Sequence, residues 1–170
     1  QYSNSYKYFN RLNNLEKNHL TYSKKYLFTL VNLGKIGEAY NFSKKLEKLK
    51  LNTFESDLVI GIHYIKSEKY ELSREYFLKI KKEKKEVLLN SFITDSLLNW
   101  VSLDNTNLSS AKRKFNSSES VFENLKRIQN VFLHCYFEDD NANIFFRKLI
   151  NDKKIDFSRY NYFYASYLLN

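Results

Sequence analysis

A chain of 170 residues with 43% hydrophobic residues and a net charge of +9 is long enough and apolar enough to fold, which argues against general disorder. Proline is absent and glycine occurs three times, and this shortage of turn formers argues against sandwiches and barrels. The single cysteine excludes an internal disulfide framework, and no stretch approaches the roughly eighteen uninterrupted apolar residues of a membrane span.

Five helices are predicted in the first half of the chain, because apolar residues recur there at the spacings of three and four that one helix face requires. Gly34 stands where a residue of left-handed conformation commonly ends a helix. Thr53 is the expected N-cap of the fourth helix, with acidic residues following near its positive end. The predicted helices cover residues 1–15, 19–33, 36–49, 54–66 and 70–82.

The second half of the chain continues the helical pattern with less regular spacing. An apolar helix is predicted over residues 87–103, followed by a turn over 104–107. Leu108, Ala111 and Phe115 then begin the next helix, about four residues later than strict repetition predicts. Further helices are expected over residues 121–137, 142–150 and 158–170.

A regular period runs through the first half of the chain. Ser5, Ala39 and Ser73 are small residues at equal intervals, and aromatic or aliphatic residues keep a fixed phase around them. The interval equals the length of one helix–turn–helix repeat, about 34 residues, and such a repeat cannot bury its apolar face alone. A stacked array is therefore predicted, as one domain over residues 1–170. Its approximate repeats are 1–18, 19–52, 53–86, 87–118, 119–152 and a partial 153–170.

Short motifs in two of these repeats match the tetratricopeptide signature, W-x2-L-G-x2-Y, then A-x3-F, then P. Ile60-Gly61-x2-Tyr64 matches its middle part and Ser73-x3-Phe77 its A-x3-F part, while the preceding repeat offers Tyr26-Leu27-x2-Leu30, Gly34 and Ala39. The chain thus resembles divergent bacterial tetratricopeptide-like repeat proteins that carry no assigned chemistry. The resemblance implies an all-α, right-handed α-solenoid of antiparallel helix pairs. A generic antiparallel helical array is the alternative.

The two ends of the chain suggest a segment cut from a longer repeat array. Methionine is absent, Gln1 stands inside a predicted helix, and residues 160–170 stop where an opening repeat helix would turn toward its partner. Terminal repeats normally carry polar caps for solubility. We therefore expect Tyr164, Leu168 and Leu169 to expose apolar surface, and the chain to self-associate through this end.

The candidate chemical motifs do not assemble into a site, so no catalytic, cofactor-binding or metal-binding residue is predicted. His134-Cys135 is one adjacent pair of soft ligands, whereas zinc needs four, and neighbours on a helix point apart. His63 fits a packing position in a repeat helix. Residues 138–140 are acidic but lack the pattern of a calcium loop, and they favour the start of the next helix instead. The glycines are too few to build a phosphate-binding loop.

Residues 79–86 form the densest run of charge, with the sequence KIKKEKKE. Two interpretations compete for it. The lysines could contact nucleic-acid phosphates or anionic lipid, with the many tyrosines stacking on bases. Alternatively, they gather at a helix end, where cations complement the negative C-terminal pole and stay solvated. The second interpretation is favoured, because Glu83 and Glu86 dilute the charge and the aromatic residues follow core spacing.

The resemblance also implies where a partner would bind. In this family the first helix of each repeat lines a concave surface that holds a peptide or a partner helix. Phe28 and Ile62 occupy the positions at which carboxylate-clamping repeats carry a polar residue, so that clamp is not expected here. The groove positions carried over by repeat phase are Lys24, Phe28, Asn32, Leu58, Ile62, Ile65 and Lys66.

An apolar floor with cationic margins suits an amphipathic or acidic segment. The predicted function is therefore a non-enzymatic scaffold for protein–protein interaction, without a cofactor or a membrane span, and with the cytoplasm as the favoured location. A basic solenoid that associates with nucleic acid is the first alternative, and salt-dependent binding to unrelated sequences would identify it. An enzyme with an unrecognised active site is the second, and a deep pocket with convergent polar groups would point to it.

Overall fold

The computed structural model describes residues 2–12, 15–82, 88–104, 106–116 and 120–169, and ten α-helices dominate that part of the chain. No strand occurs among these residues, and short 3-10 turns precede three of the helices. The helices are α1 (Tyr2–Arg11), α2 (Leu20–Asn32), α3 (Ile36–Lys48), α4 (Phe54–Lys66), α5 (Tyr70–Lys82), α6 (Leu88–Trp100), α7 (Leu108–Asn116), α8 (Glu123–Tyr136), α9 (Ala142–Ile150) and α10 (Asn161–Leu169).

The chain forms two compact units, Gln1–Val101 and Ser102–Asn170. In the first unit, the successive helices α1 to α6 pack against one another in chain order. In the second unit, α7 packs on α8 and α8 on α9. Because these neighbouring helices pack on one another in chain order within each unit, the contacts are of the kind a helical repeat makes. The predicted all-α class is confirmed.

Two helix ends that the sequence predicts are present as expected. The Thr53 hydroxyl accepts a hydrogen bond from Ser56 N at 3.3 Å, and the Ser56 hydroxyl accepts one from Thr53 N at 2.8 Å, which caps α4 reciprocally. Gly34 ends α2 with a φ of +69°, and Glu68 ends α4 with a φ of +57°. In both turns the next residue donates its N–H to a carbonyl five residues earlier, at 2.9 Å. The same turn therefore recurs one repeat period later, without a glycine the second time.

Ala39 and Ser73 are both 0% exposed, which confirms their predicted burial. The Ser73 hydroxyl donates to Gly61 O at 2.9 Å, so α5 lies against the backbone of α4 at this point. A Cβ at Gly61 would lie only 2.4 Å from Cε1 of Phe77, so no larger residue fits while this ring is present. The motif residues Gly61, Ser73 and Phe77 thus form one contact between two helices.

The preceding predicted repeat has the opposite residue sizes at the equivalent sequence positions. One repeat period before Gly61 stands Leu27, and one period before Phe77 stands Ser43, and both side chains are buried. One repeat therefore combines glycine with phenylalanine, and the other combines leucine with serine. The larger residue thus stands at the first position in one predicted repeat and at the second in the other, which is consistent with a close-packed interior of fixed volume.

The pairing of a small residue with a phenylalanine four positions later continues in the second unit. Ala111 is the fourth residue of α7, as Ala39 is of α3, and both Ala111 and Phe115 are buried. The sequence places Ala111 and Phe115 about four residues later than strict repetition predicts, and both side chains are nevertheless buried as their counterparts are. Ala142 and Phe146 repeat the A-x3-F spacing in α9 and are buried as well. We did not predict this last pair, because it follows Ala111 sooner than a full repeat period would place it.

A polar cluster connects α3, α4 and α5. The side chain of Asp57 is fully buried, accepts a hydrogen bond from Asn52 at 2.9 Å and pairs with Lys79 at 3.2 Å. Close by, the Tyr76 hydroxyl donates to Glu47 of α3 at 2.6 Å. Burial of the Tyr76 ring, together with this bond to a carboxylate, raises the pKa of the phenol to about 12. The cluster thus satisfies a buried carboxylate and joins helices of two predicted repeats.

The last helix exposes part of the apolar surface expected there. Leu168 and Leu169 are exposed, in agreement with the sequence prediction. Tyr164 differs, because its ring packs on Phe146 with the ring centroids 5.1 Å apart, and its hydroxyl accepts a hydrogen bond from Arg147 at 3.0 Å. Tyr164 therefore contributes to the core of the second unit rather than to its surface.

Candidate functional site

The seven predicted groove residues lie on α2 and α4, which contact each other within the first unit. The positions on each helix are spaced mainly by four residues and so share one helix face. Lys24, Phe28 and Asn32 on α2 stand one repeat period before Leu58, Ile62 and Lys66 on α4, and Ile65 adjoins the last of these. Two neighbouring helices thus carry equivalent residues in the same order.

Apolar side chains on these two helices remain open to solvent. Phe28 is 58% exposed and Ile62 is 43% exposed, whereas Leu58 and Ile65 are half-buried. Scattered exposed apolar residues are normal on a protein surface, but these occupy equivalent positions on adjoining helices. The surface can therefore bury apolar side chains of another molecule.

Lys24 is not a free cation at the margin of this surface. Its ammonium pairs with the Glu55 carboxylate of α4 at 3.0 Å, which links the two helices. Burial opposes ionisation of Glu55, but bonds from Thr53, from its own backbone N–H and from Lys24 outweigh burial and lower its pKa. The expected basic margin therefore depends on Lys66, which is exposed at the other end of the surface.

Two further contacts shape the same surface. Tyr2 of α1 places the edge of its ring on Phe28, with centroids 5.8 Å apart and an interplanar angle of 67°. The sequence comparison of first helices did not include Tyr2, because Ser5 places α1 in phase with α3 and α5, the second helices of the predicted repeats. The Asn32 amide donates to the Phe28 carbonyl at 2.8 Å, so one of its donors is engaged within its own helix.

His63, also on α4, takes part in packing. Its ring stacks on Tyr40 of α3 with centroids 3.8 Å apart and an interplanar angle of 18°. The Tyr64 ring meets the same tyrosine edge-on at 6.1 Å. These contacts agree with the packing role that the sequence gives to His63.

His134 and Cys135 do not act together. The His134 ring is buried and bonds Asp139 and Lys112, while the half-buried Cys135 has a thiol whose pKa is raised by burial. Asp139 also accepts from Asn141 N at 2.9 Å, just before α9. Across the described ranges, no group of three or more His, Cys, Asp or Glu side chains is arranged to hold a metal ion.

The lysine run at the end of α5 is partly neutralised. Lys79 pairs with the buried Asp57, and Lys81 pairs with Asp95 of α6 at 2.8 Å. Lys82 is exposed, and residues 83–86 lie outside the described residues. Two of these cations therefore stabilise contacts between helices, which reduces the charge available to a phosphate backbone.

In the part of the chain that the structure describes, every helix is too short or too polar to cross a bilayer.

No protein-family model matches this sequence, and the searches of curated proteins and of solved structures found no match either. The likeness to a helical repeat therefore rests on the motifs and the packing given above.

Proposed function

We propose that this chain is a non-enzymatic interaction scaffold of the tetratricopeptide-like kind, a right-handed solenoid of antiparallel helix pairs. The groove formed by the seven residues on α2 and α4 would bind an amphipathic segment of a partner protein. The observation that carries the proposal is the exposure of Phe28 and Ile62 at equivalent positions of two helices in contact.

The apolar side chains of this surface offer a modest binding energy. Full burial of a Phe or Ile side chain contributes roughly 1.5–3 kcal/mol, and Phe28 and Ile62 can supply only the part that corresponds to their exposed surface. Association and side-chain ordering cost several kcal/mol, so a single short segment would bind weakly and reversibly. Lys66 would attract acidic residues of that segment and fix its orientation more than it adds affinity.

Selection of peptides from a random display library on the purified chain tests the proposal. Peptides recovered on the wild type are then measured by fluorescence anisotropy against Ile62→Asp and against Leu72→Asp. Leu72 is the matched control, since it is 40% exposed but lies on α5. We expect Ile62→Asp to weaken binding about tenfold or more, because it places a charge in the apolar contact, and Leu72→Asp to leave it unchanged. Circular dichroism checks that both variants fold.

Equal binding by Ile62→Asp and the wild type would contradict the groove proposal. The nucleic-acid alternative is tested in parallel with labelled single-stranded oligonucleotides of unrelated sequence. Affinity for these that falls steeply with salt and is indifferent to Ile62→Asp would favour the alternative.

A further inference from the structure

His134 of α8 is a buried titratable side chain that the proposed groove does not use. It is 3% exposed and lies in the second unit, whereas the groove residues belong to the first. Three surrounding elements contact its ring. Lys112 approaches from α7, Asp139 from the turn between α8 and α9, and Phe145 stacks on the ring from α9 with centroids 4.0 Å apart.

The partners of the two ring nitrogens decide where the protons lie. Asp139 Oδ1 is 2.9 Å from Nδ1, and bonds from His134 and from Asn141 N hold the pKa of this carboxyl below its usual range. An ionised carboxylate only accepts hydrogen bonds, so Nδ1 carries the proton. Lys112 Nζ is 3.2 Å from Nε2, and an ammonium only donates, so Nε2 must be the bare acceptor. The ring that satisfies both partners is neutral.

Protonation of Nε2 removes the hydrogen-bond acceptor of Lys112, whose ammonium otherwise lies over the Phe145 ring, 5.4 Å from its centroid. The imidazolium would then direct an N–H at an ammonium 3.2 Å away, and the two positive charges repel each other. The other charges around the ring do not replace this acceptor. Asp139 lies at Nδ1, where its carboxylate favours the imidazolium, Lys148 of α9 adds a further cation 5.8 Å from the centroid of the Phe145 ring, and burial keeps the neighbouring Cys135 thiol protonated.

Lys112 can respond to this conflict without unfolding the unit. It is half-buried, so its ammonium can swing into water, whereas the stacked His134 ring keeps its bond to Asp139. The apolar residues Ala111 and Phe115 would then remain as the attachment of α7, which packs on α8.

We propose that His134 is a proton-sensitive latch, which holds Lys112 of α7 while its ring is neutral and releases it once the ring is protonated. The attachment of α7 to α8 is then loosened on acidification. This device does not depend on the groove, and it makes the second unit responsive to pH.

Amide hydrogen exchange of the whole chain tests the latch. The protection factors of the α7 amides are corrected for intrinsic exchange and divided by those of the α9 amides. This α7 ratio is compared at about pH 7.5 and about pH 5. We expect the ratio to fall about fivefold in the wild type, the effect of losing one hydrogen bond of ordinary strength. In Lys112→Met the ratio should be low at both pH values. Lys153→Met, the same change at an exposed lysine, should behave as the wild type.

An unchanged α7 ratio in the wild type would overturn the proposal, as would a Lys112→Met variant that keeps the pH response. Nitrogen NMR of the His134 ring provides a second measurement that needs no variant. It should show a proton on Nδ1 alone where the α7 ratio is high and on both nitrogens where the ratio has fallen. A proton on Nε2 alone, or a ring that stays neutral throughout, would equally refute the latch.

Discussion

Gly61→Leu and Phe77→Ala should each destabilise the first unit, and the double variant should cost much less than the sum of the two. Phe77 is fully buried, so its truncation alone should cost about 3–5 kcal/mol of unfolding free energy. Gly61→Leu alone should cost about 1–3 kcal/mol through overpacking, because its Cβ would already lie 2.4 Å from the Phe77 ring. The better helix propensity of leucine offsets roughly 1 kcal/mol of this cost.

In the double variant the leucine side chain enters the space that the ring vacates, and the two positions then carry leucine and a small residue, as positions 27 and 43 do one period earlier. We therefore expect a favourable coupling energy of about 2–3 kcal/mol between the two changes, near the upper end for residues in contact. Alanine is chosen at position 77 because the buried Ser43 hydroxyl has no hydrogen-bond partner in the structure. A serine there would add the cost of burying another polar group.

Denaturant unfolding, followed by circular dichroism, measures the free energy of unfolding of the four proteins in this cycle. The m-value should be the same for all four. A control cycle combines Gly61→Leu with Leu30→Ala, a fully buried residue whose core cluster includes neither Gly61 nor Phe77, and its effects should add within about 0.5 kcal/mol. Additive effects in the Gly61–Phe77 cycle would show that the two sizes do not compensate. The equivalence of the two repeats would then be wrong at these positions.

Three other outcomes are expected. Ala39→Leu or Ser73→Leu should each cost about 1–3 kcal/mol by overpacking a fully buried contact, and unchanged denaturation midpoints would contradict that. Ser43→Ala should be neutral or should stabilise by up to about 1 kcal/mol, since it removes a buried hydroxyl without a partner; a clear loss in the same assay would reveal a bond the structure lacks. Burial and the bond to Glu47 raise the pKa of Tyr76 to about 12, so its contribution to stability is present below about pH 10 and is lost as the pH rises through about 12. The pKa values of Tyr22, Tyr26 and Tyr64 are raised as well, so tyrosinate absorbance should show several late-titrating groups, of which Tyr76→Phe removes one; identical titration curves would refute the assignment.

The helices could be predicted from the sequence because apolar spacing alone determines which face is buried. The structure places the helix that follows Thr53 at Phe54–Lys66 and the next at Tyr70–Lys82, as expected. The left-handed conformation of Gly34 could also be predicted, because glycine adopts it readily at a helix end. Glu68 adopts the same conformation without any local signal in its residue type, so only its place one repeat period after Gly34 could have suggested it.

Contacts between helices were less accessible to sequence reasoning. The pair Lys24–Glu55 changes the charge of the groove margin, but it depends on how α2 lies against α4. The bonds of His134 depend likewise on three elements that meet only in the folded unit. Spacing along one helix shows which side chains share a face, and it does not show which face of a neighbour they meet.

The exchange of large and small residues between the two repeats also bears on misfolding. Adjacent repeats of similar sequence can pair with the wrong neighbour during folding, or with the same element of another molecule. If α2 took the place of α4 against α5, Leu27 would meet Phe77, and two large side chains would compete for one space. If α4 took the place of α2 against α3, Gly61 would meet Ser43 and leave a void. Both mismatched pairings are penalised, so only the native order of helices fills its own interior.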